Sequence, residues 1–76
     1  MKELVEVLAK ALVDDAEAVK VETREENDTL ILELHVAPQD MGKVIGKQGR
    51  IARAIRTVVR AAAIREDKKV IVDIVQ

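Results

Sequence analysis

Gly46 and Gly49 stand three residues apart and enclose Lys47 and Gln48, with Arg50 directly after. Neither glycine carries a Cβ, so another backbone can approach closely there, and φ > 0 is open to both. A helix starting right after such a loop presents unpaired N–H groups and the positive end of its dipole to an anion. Lys47 and Arg50 place positive charge on either side, with Lys43 upstream and Arg53 downstream. The chemistry this suits is the holding of a sugar-phosphate backbone: charge from Lys47, amide donors from Gln48, close contact at the glycines. A tight turn between helices would explain one glycine well and two less well. Gly42 sits inside a helical stretch, where glycine costs about 1 kcal/mol against alanine, and it reads as room for packing or for a ligand.

Arg50, Arg53, Arg56 and Arg60 follow at spacings that share one face of a helix. A solvated face normally mixes charge signs, yet no acid lies between Arg50 and Arg65. Arg50 and Arg53, nearest the loop, are the candidates for binding, and Arg56 and Arg60 are expected to turn away. Val44, Ile45 and Ile51 should line a groove beside the loop, whose floor merges with the edge of the core, with Ile31 or the strand around 30–36 as its other wall. Ile45 and Ile55 are expected in the core.

The net charge of −1 conceals a division. Residues 1–42 hold four Lys/Arg against eleven Asp/Glu, and residues 43–76 hold nine against three. The basic half begins at the glycine loop, and a field of this kind steers a polyanion to one face.

The elements that must position these residues follow from periodicity. Leu4, Val5, Leu8, Ala11 and Leu12 repeat at helical spacing over 3–13. Val19 and Val21 alternate with Lys20 and Glu22 over 18–24, a half-buried strand. The polar run 25–28 reads as a hairpin turn. Residues 29–36 alternate again, with Leu30, Leu32, Leu34 and Val36 on one face. Pro38 suits a first helical turn, and Asp40 is favourable there as a carboxylate. A short helix to about Ile45, the loop, a helix over 50–64 and a strand over 69–75 complete the order. Three strands with helices on one face give an α+β domain, one unit over residues 1–76.

The chain's 76 residues support a modest core. It has no cysteine, hence no disulfide or thiolate metal site, and its single histidine, His35, cannot build a zinc site. Neither a metal nor a cofactor is expected. No carboxylate pair and no nucleophile with a base stand out, so no enzymatic role is expected. A phosphate-binding loop of nucleotide hydrolases is excluded, because Gly42 to Lys47 has the wrong spacing and no hydroxyl follows. Phe, Tyr and Trp are all absent, which rules out base reading by aromatic stacking. No apolar run reaches the ~20 residues of a membrane span, and Met1 to Glu6 is no signal peptide, so cytoplasmic residence is expected. Apolar and small residues from Ile51 to Ala63 cover more of the long helix than a single core needs. The surplus marks a dimer face centred on Val58, with Ala54 and Ala61 allowing close approach.

The run Asp40-Met41-Gly42-Lys43-Val44-Ile45-Gly46-Lys47-Gln48-Gly49-Arg50-Ile51 resembles the core motif of the KH domain. The element order is similar to the type II, prokaryotic form of that fold, α-β-β-α-α-β. From Val36 to Ile51, and on through Ala54-Ile55-Arg56-Thr57-Val58-Val59, the chain resembles the small single-domain bacterial KH proteins of the KhpA family. The resemblance covers nearly the whole chain. It implies a loop and aliphatic groove that hold about four nucleotides of single-stranded RNA. The contacts it implies come from Lys43, Val44, Gly46, Lys47, Gln48, Gly49, Arg50, Ile51 and Arg53. It further implies an RNA-chaperone or post-transcriptional role in the cytoplasm. Dimers are implied too, either with itself or with a larger KH-containing protein of the Jag type, tied in some bacteria to cell-wall elongation and division. Two other readings remain: an interaction subunit that docks such a partner with weak RNA affinity, and a helix-turn-helix over 39–63 that binds duplex DNA.

Overall fold

The computed structural model describes residues 1–75, apart from the side chains of Lys47 and Gln48. Helix α1 spans Lys2–Leu12 and buries Val5 and Ala9, one turn apart. A 3-10 turn that periodicity does not reveal, Ala16–Ala18, leads into β1, Lys20–Glu26. β1 pairs antiparallel with β2, Thr29–His35, in a register that sets Glu26 opposite Thr29. Only Asn27 and Asp28 are left to turn the chain, both left-handed, at φ 50 and φ 65. That is the mirror-image turn matching the twist of a hairpin, and Asn and Asp are the non-glycine residues that tolerate it. So short a turn lets β1 run two residues further than the alternation of 18–24 implies.

Helix α2 runs from Pro38 to Arg65, with the proline at its start as expected. The glycine loop does not open a gap in it. The junction is one residue, Gly49, at φ 67. A left-handed residue cannot extend a right-handed helix, so it divides α2 into an arm of residues 38–48 and an arm of residues 50–65. The order α-β-β-α-α-β holds in this form. The second arm ends in a paired-bond stop: the N–H of Asp67 donates to the Ile64 carbonyl and that of Lys68 to the Ala63 carbonyl. Asp67, at φ 54, occupies the left-handed position usually taken by glycine.

β3, Lys69–Ile74, pairs parallel with β2, giving a mixed sheet of order β1-β2-β3. One face of this sheet carries the helices. Val21, Leu32, Leu34 and Val72 meet Val5 and Ala9 of α1 and Ile55 and Val59 of α2 there. Leu30, Val70 and Ile74 pack around that cluster, as the alternation of both strands requires.

Candidate nucleic-acid interface

The three glycines have different reasons to be glycine. Gly49 needs its positive φ. Gly42 and Gly46 lie within the helical first arm, and a Cβ on either would meet nothing within 4 Å. Neither the backbone nor packing within the chain demands glycine at these two positions, so the idea that Gly42 makes room for packing is not supported. A left-handed alanine costs about 1–2 kcal/mol. Gly49→Ala is therefore expected to lower the unfolding free energy by about that amount in a urea titration. A loss below about 0.5 kcal/mol would mean the loop relaxes out of this conformation.

Beside the loop, the helical phase differs from the expectation. Asp40 and Val44, one turn apart, are both buried against the fold, while Ile45 is 41% exposed. Val44 is therefore core, not an exposed liner of the groove, and Ile45 is not core. The apolar residue on the first arm that faces outward is Ile45. Ile51, on the second arm, is half-buried against the main core and forms its margin. The side chains of Lys47 and Gln48 lie outside the described residues.

The carboxylate of Asp40, only 1% exposed, joins the two ends of this region. Its Oδ1 accepts the N–H of Asp14 at 3.2 Å, and its Oδ2 the N–H of Asp15 at 3.0 Å. The link between α1 and β1 is thereby fixed to the first turn of α2. Lys43 extends back over it, with Nζ donating to Asp14 Oδ1 at 3.2 Å. Exposed on both sides, that ion pair is weak and leaves Lys43 available to a stronger anion.

Arg50, Arg53, Arg56 and Arg60 are all exposed. Arg56 and Arg60 do not turn away. With Val59 and residues 70–72 they line a groove of about 240 Å³ between the second arm and β3. Arg56 Nε donates to the Val72 carbonyl at 3.4 Å. The wall opposite the helix is thus β3, not β2. β2 is the central strand, and Ile31 alternates onto the face away from the helices, in register between Arg24 and Ile71. β3 also presents a free edge. The N–H of Val75 donates to the Leu34 carbonyl, so odd-numbered residues of β3 direct their backbone groups at β2. By alternation, Val70, Val72 and Ile74 direct theirs outward, along the groove. Periodicity identifies β3 as a strand but carries no sign that it is an edge, which is why its role in the site escapes the sequence.

The proposed dimer residues Ala54, Val58 and Ala61 are all exposed on the second arm. Val58 and Ala61, with Leu4, Ala62, Ile64 and Arg65, line a shallow concavity of about 610 Å³. His35 lies elsewhere, 3.8 Å from Glu22 on the sheet. Among the described residues, no group of His, Cys, Asp and Glu has the makings of a metal site.

A family model described as "KhpA/KhpB, KH domain" matches residues 2–74. The chain belongs to this KH-domain family. The chain is 65% identical to the RNA-binding protein KhpA of Clostridium perfringens over 75 residues, 99% of this chain and 100% of that protein. It is 61% identical to the KhpA of Caldanaerobacter subterraneus over the same shares. The KhpA of Aquifex aeolicus is 46% identical, covering all of this chain and 96% of its own. Among solved structures, a variant of Aquifex aeolicus Era bound to GDP.AlF4- superposes with a TM-score of 0.66 over 96% of this chain and 28% of that one. At 18% identity that likeness speaks to the fold alone. The KH architecture, in its type II order, gives the parts described above their arrangement: a glycine loop at the junction of two helical arms, and a groove between the second arm and β3.

Proposed function

We propose that this chain is a non-catalytic single-stranded RNA-binding protein that holds about four nucleotides at the loop 46–49 and the adjoining groove. The observation that carries the reading is the open space over Gly46, on the same two-armed helix as a groove that combines arginines with the edge of β3. Phosphates would lie against the loop, Lys43, Arg50 and Arg53. Bases would pack on Ile45 and the aliphatic margin at Ile51, and backbone groups of β3 would read their edges. Full-length relatives named RNA-binding proteins support the same ligand. A chaperone or post-transcriptional role in the cytoplasm is the cellular setting that fits.

Duplex DNA suits this geometry less well. A recognition helix must enter a major groove about 12 Å wide, and here β3 occupies the arginine-bearing flank of the helix. A random single-stranded RNA pool and a duplex DNA of equal length, compared at one salt concentration, decide between the two. The RNA is expected to bind at least tenfold tighter, about 1.4 kcal/mol, and equal or tighter duplex binding would overturn the reading. Sequencing the bound RNA then yields its base preference.

The protein acts as a dimer, with itself or with a larger KH-containing partner, through the surface around Ala54, Val58 and Ala61. The exposed apolar concavity there supports this. Val58→Asp puts a charge into the centre of that surface and is expected to leave a folded monomer in sedimentation velocity. A Val58→Asp protein that still sediments as a dimer would exclude this face.

A further inference from the structure

Resting on the RNA reading above, we propose a second nucleotide-binding station at the far end of the groove, where Arg60, Lys68 and Lys69 surround Ile64 and Ile71. It takes the strand as it leaves the first site, so the footprint exceeds the nucleotides held at the loop. Ile64, 72% exposed at the border with the concavity around Val58, and Ile71, 53% exposed on the side of β3 away from the helices, both line one open pocket of about 310 Å³ at the β3 edge. The rest of its lining is Thr29, Ala63, Val70 and the three cations, with no carboxylate. An apolar floor with a cationic rim matches a nucleotide: the base lies on isoleucine and the phosphate meets lysine or arginine.

The pocket is continuous with the groove, because Arg60, Val70 and Ile71 line both. The stop of α2 favours the arrangement. The carbonyls of residues 62–64 are occupied by the N–H groups of Glu66, Asp67 and Lys68, which blunts the negative helix end. The same left-handed turn at Asp67 places Lys68 and Lys69 at the start of β3. Lys68 and Lys69 also line a neighbouring depression, whose carboxylates Glu25, Asp28 and Asp67 bound the track.

The test uses the full chain and fluorescein-labelled degenerate RNA pools of about four and about eight nucleotides, titrated by anisotropy between roughly 50 and 200 mM salt. Each phosphate neutralised on a single strand adds about 0.7 to the slope of log K against log salt. For the natural sequence, the longer pool is expected to be steeper than the shorter by about 1.4, two extra phosphates. Lys68→Gln/Lys69→Gln should return the longer pool to the shorter pool's slope and leave binding of the shorter within about twofold. Ile71→Ser, which touches both the groove and the pocket, should weaken the longer pool about three- to tenfold more than the shorter, with both slopes unchanged. Equal slopes for both lengths in the natural sequence, or equal weakening of both pools in the lysine variant, would overturn the second station. Failure of the natural protein to bind either pool overturns the RNA reading itself, and this proposal with it.

Discussion

Asp40→Ala is expected to cost about 3 kcal/mol, from the loss of two hydrogen bonds to a charged acceptor at about 1.5 kcal/mol each. Both bonds span more than twenty residues of chain and end on a carboxylate with almost no exposure. Removing the acceptor strands the N–H groups of Asp14 and Asp15 in a partly buried position and cuts the tie between the α1–β1 link and α2. For a domain of this size, 1 kcal/mol moves the melting temperature by about 4–8 °C, so a drop of about 12–24 °C is expected. Thermal melts by circular dichroism at one fixed protein concentration check this, since dimerisation would otherwise enter the midpoint. Asp40→Asn keeps one carboxamide oxygen and should retain about half the stability that alanine loses. A fall of less than about 3 °C for alanine would mean water replaces the carboxylate at little cost.

Asp40 also marks where the sequence stops being legible. Its place in a first helical turn follows from Pro38 and from the preference of helix starts for acids, and the helix does begin there. Its partners do not follow, because nothing local connects residue 40 to residues 14 and 15. The same carboxylate accounts for the inverted phase next to it. Val44 and Ile45 are equally apolar, and periodicity alone favours neither as the inward residue. The arm turns Asp40 toward the α1–β1 link, and Val44, one turn on, goes inward with it. Periodicity does not count a carboxylate as a core residue, so the determinant is invisible to it.

The strands divide in the same manner. Alternation over 29–36 and 69–75 assigns Leu32, Leu34 and Val72 to the core side, and all three are buried there. Strand order rests on pairings between distant segments, and that information is absent from any single run. Once β2 is central and β3 is the edge, the groove moves to β3, and Arg56 and Arg60 move with it from the periphery to the lining. Within the loop, Gly49 is legible because its constraint is local: it is dictated by its own φ.

Lys47→Asp/Gln48→Asp should weaken single-stranded RNA binding about 100-fold, roughly 2.7 kcal/mol, and lower the salt slope by about 0.7 for the lost lysine contact. The change replaces one cation and one amide donor with two anions at the point assigned to the phosphates, so lost attraction and new repulsion act together. A charge reversal alone could act through the general field of the basic half of the chain, so a second variant must act without charge. Gly46→Ala does so. It replaces a helical glycine whose Cβ would have free space, which should stabilise the fold by up to about 1 kcal/mol and raise the melting temperature by about 4–8 °C. If a phosphate rests on that backbone, the added methyl group occupies its place, and RNA affinity falls at least tenfold while stability rises. Opposite signs for stability and affinity cannot come from partial unfolding, which lowers both. If Gly46→Ala is more stable and binds RNA as the natural sequence does, no backbone approaches that glycine, and the loop is not the phosphate clamp. Loss of binding in both variants ties the function to close contact at the loop, since only one of them alters charge.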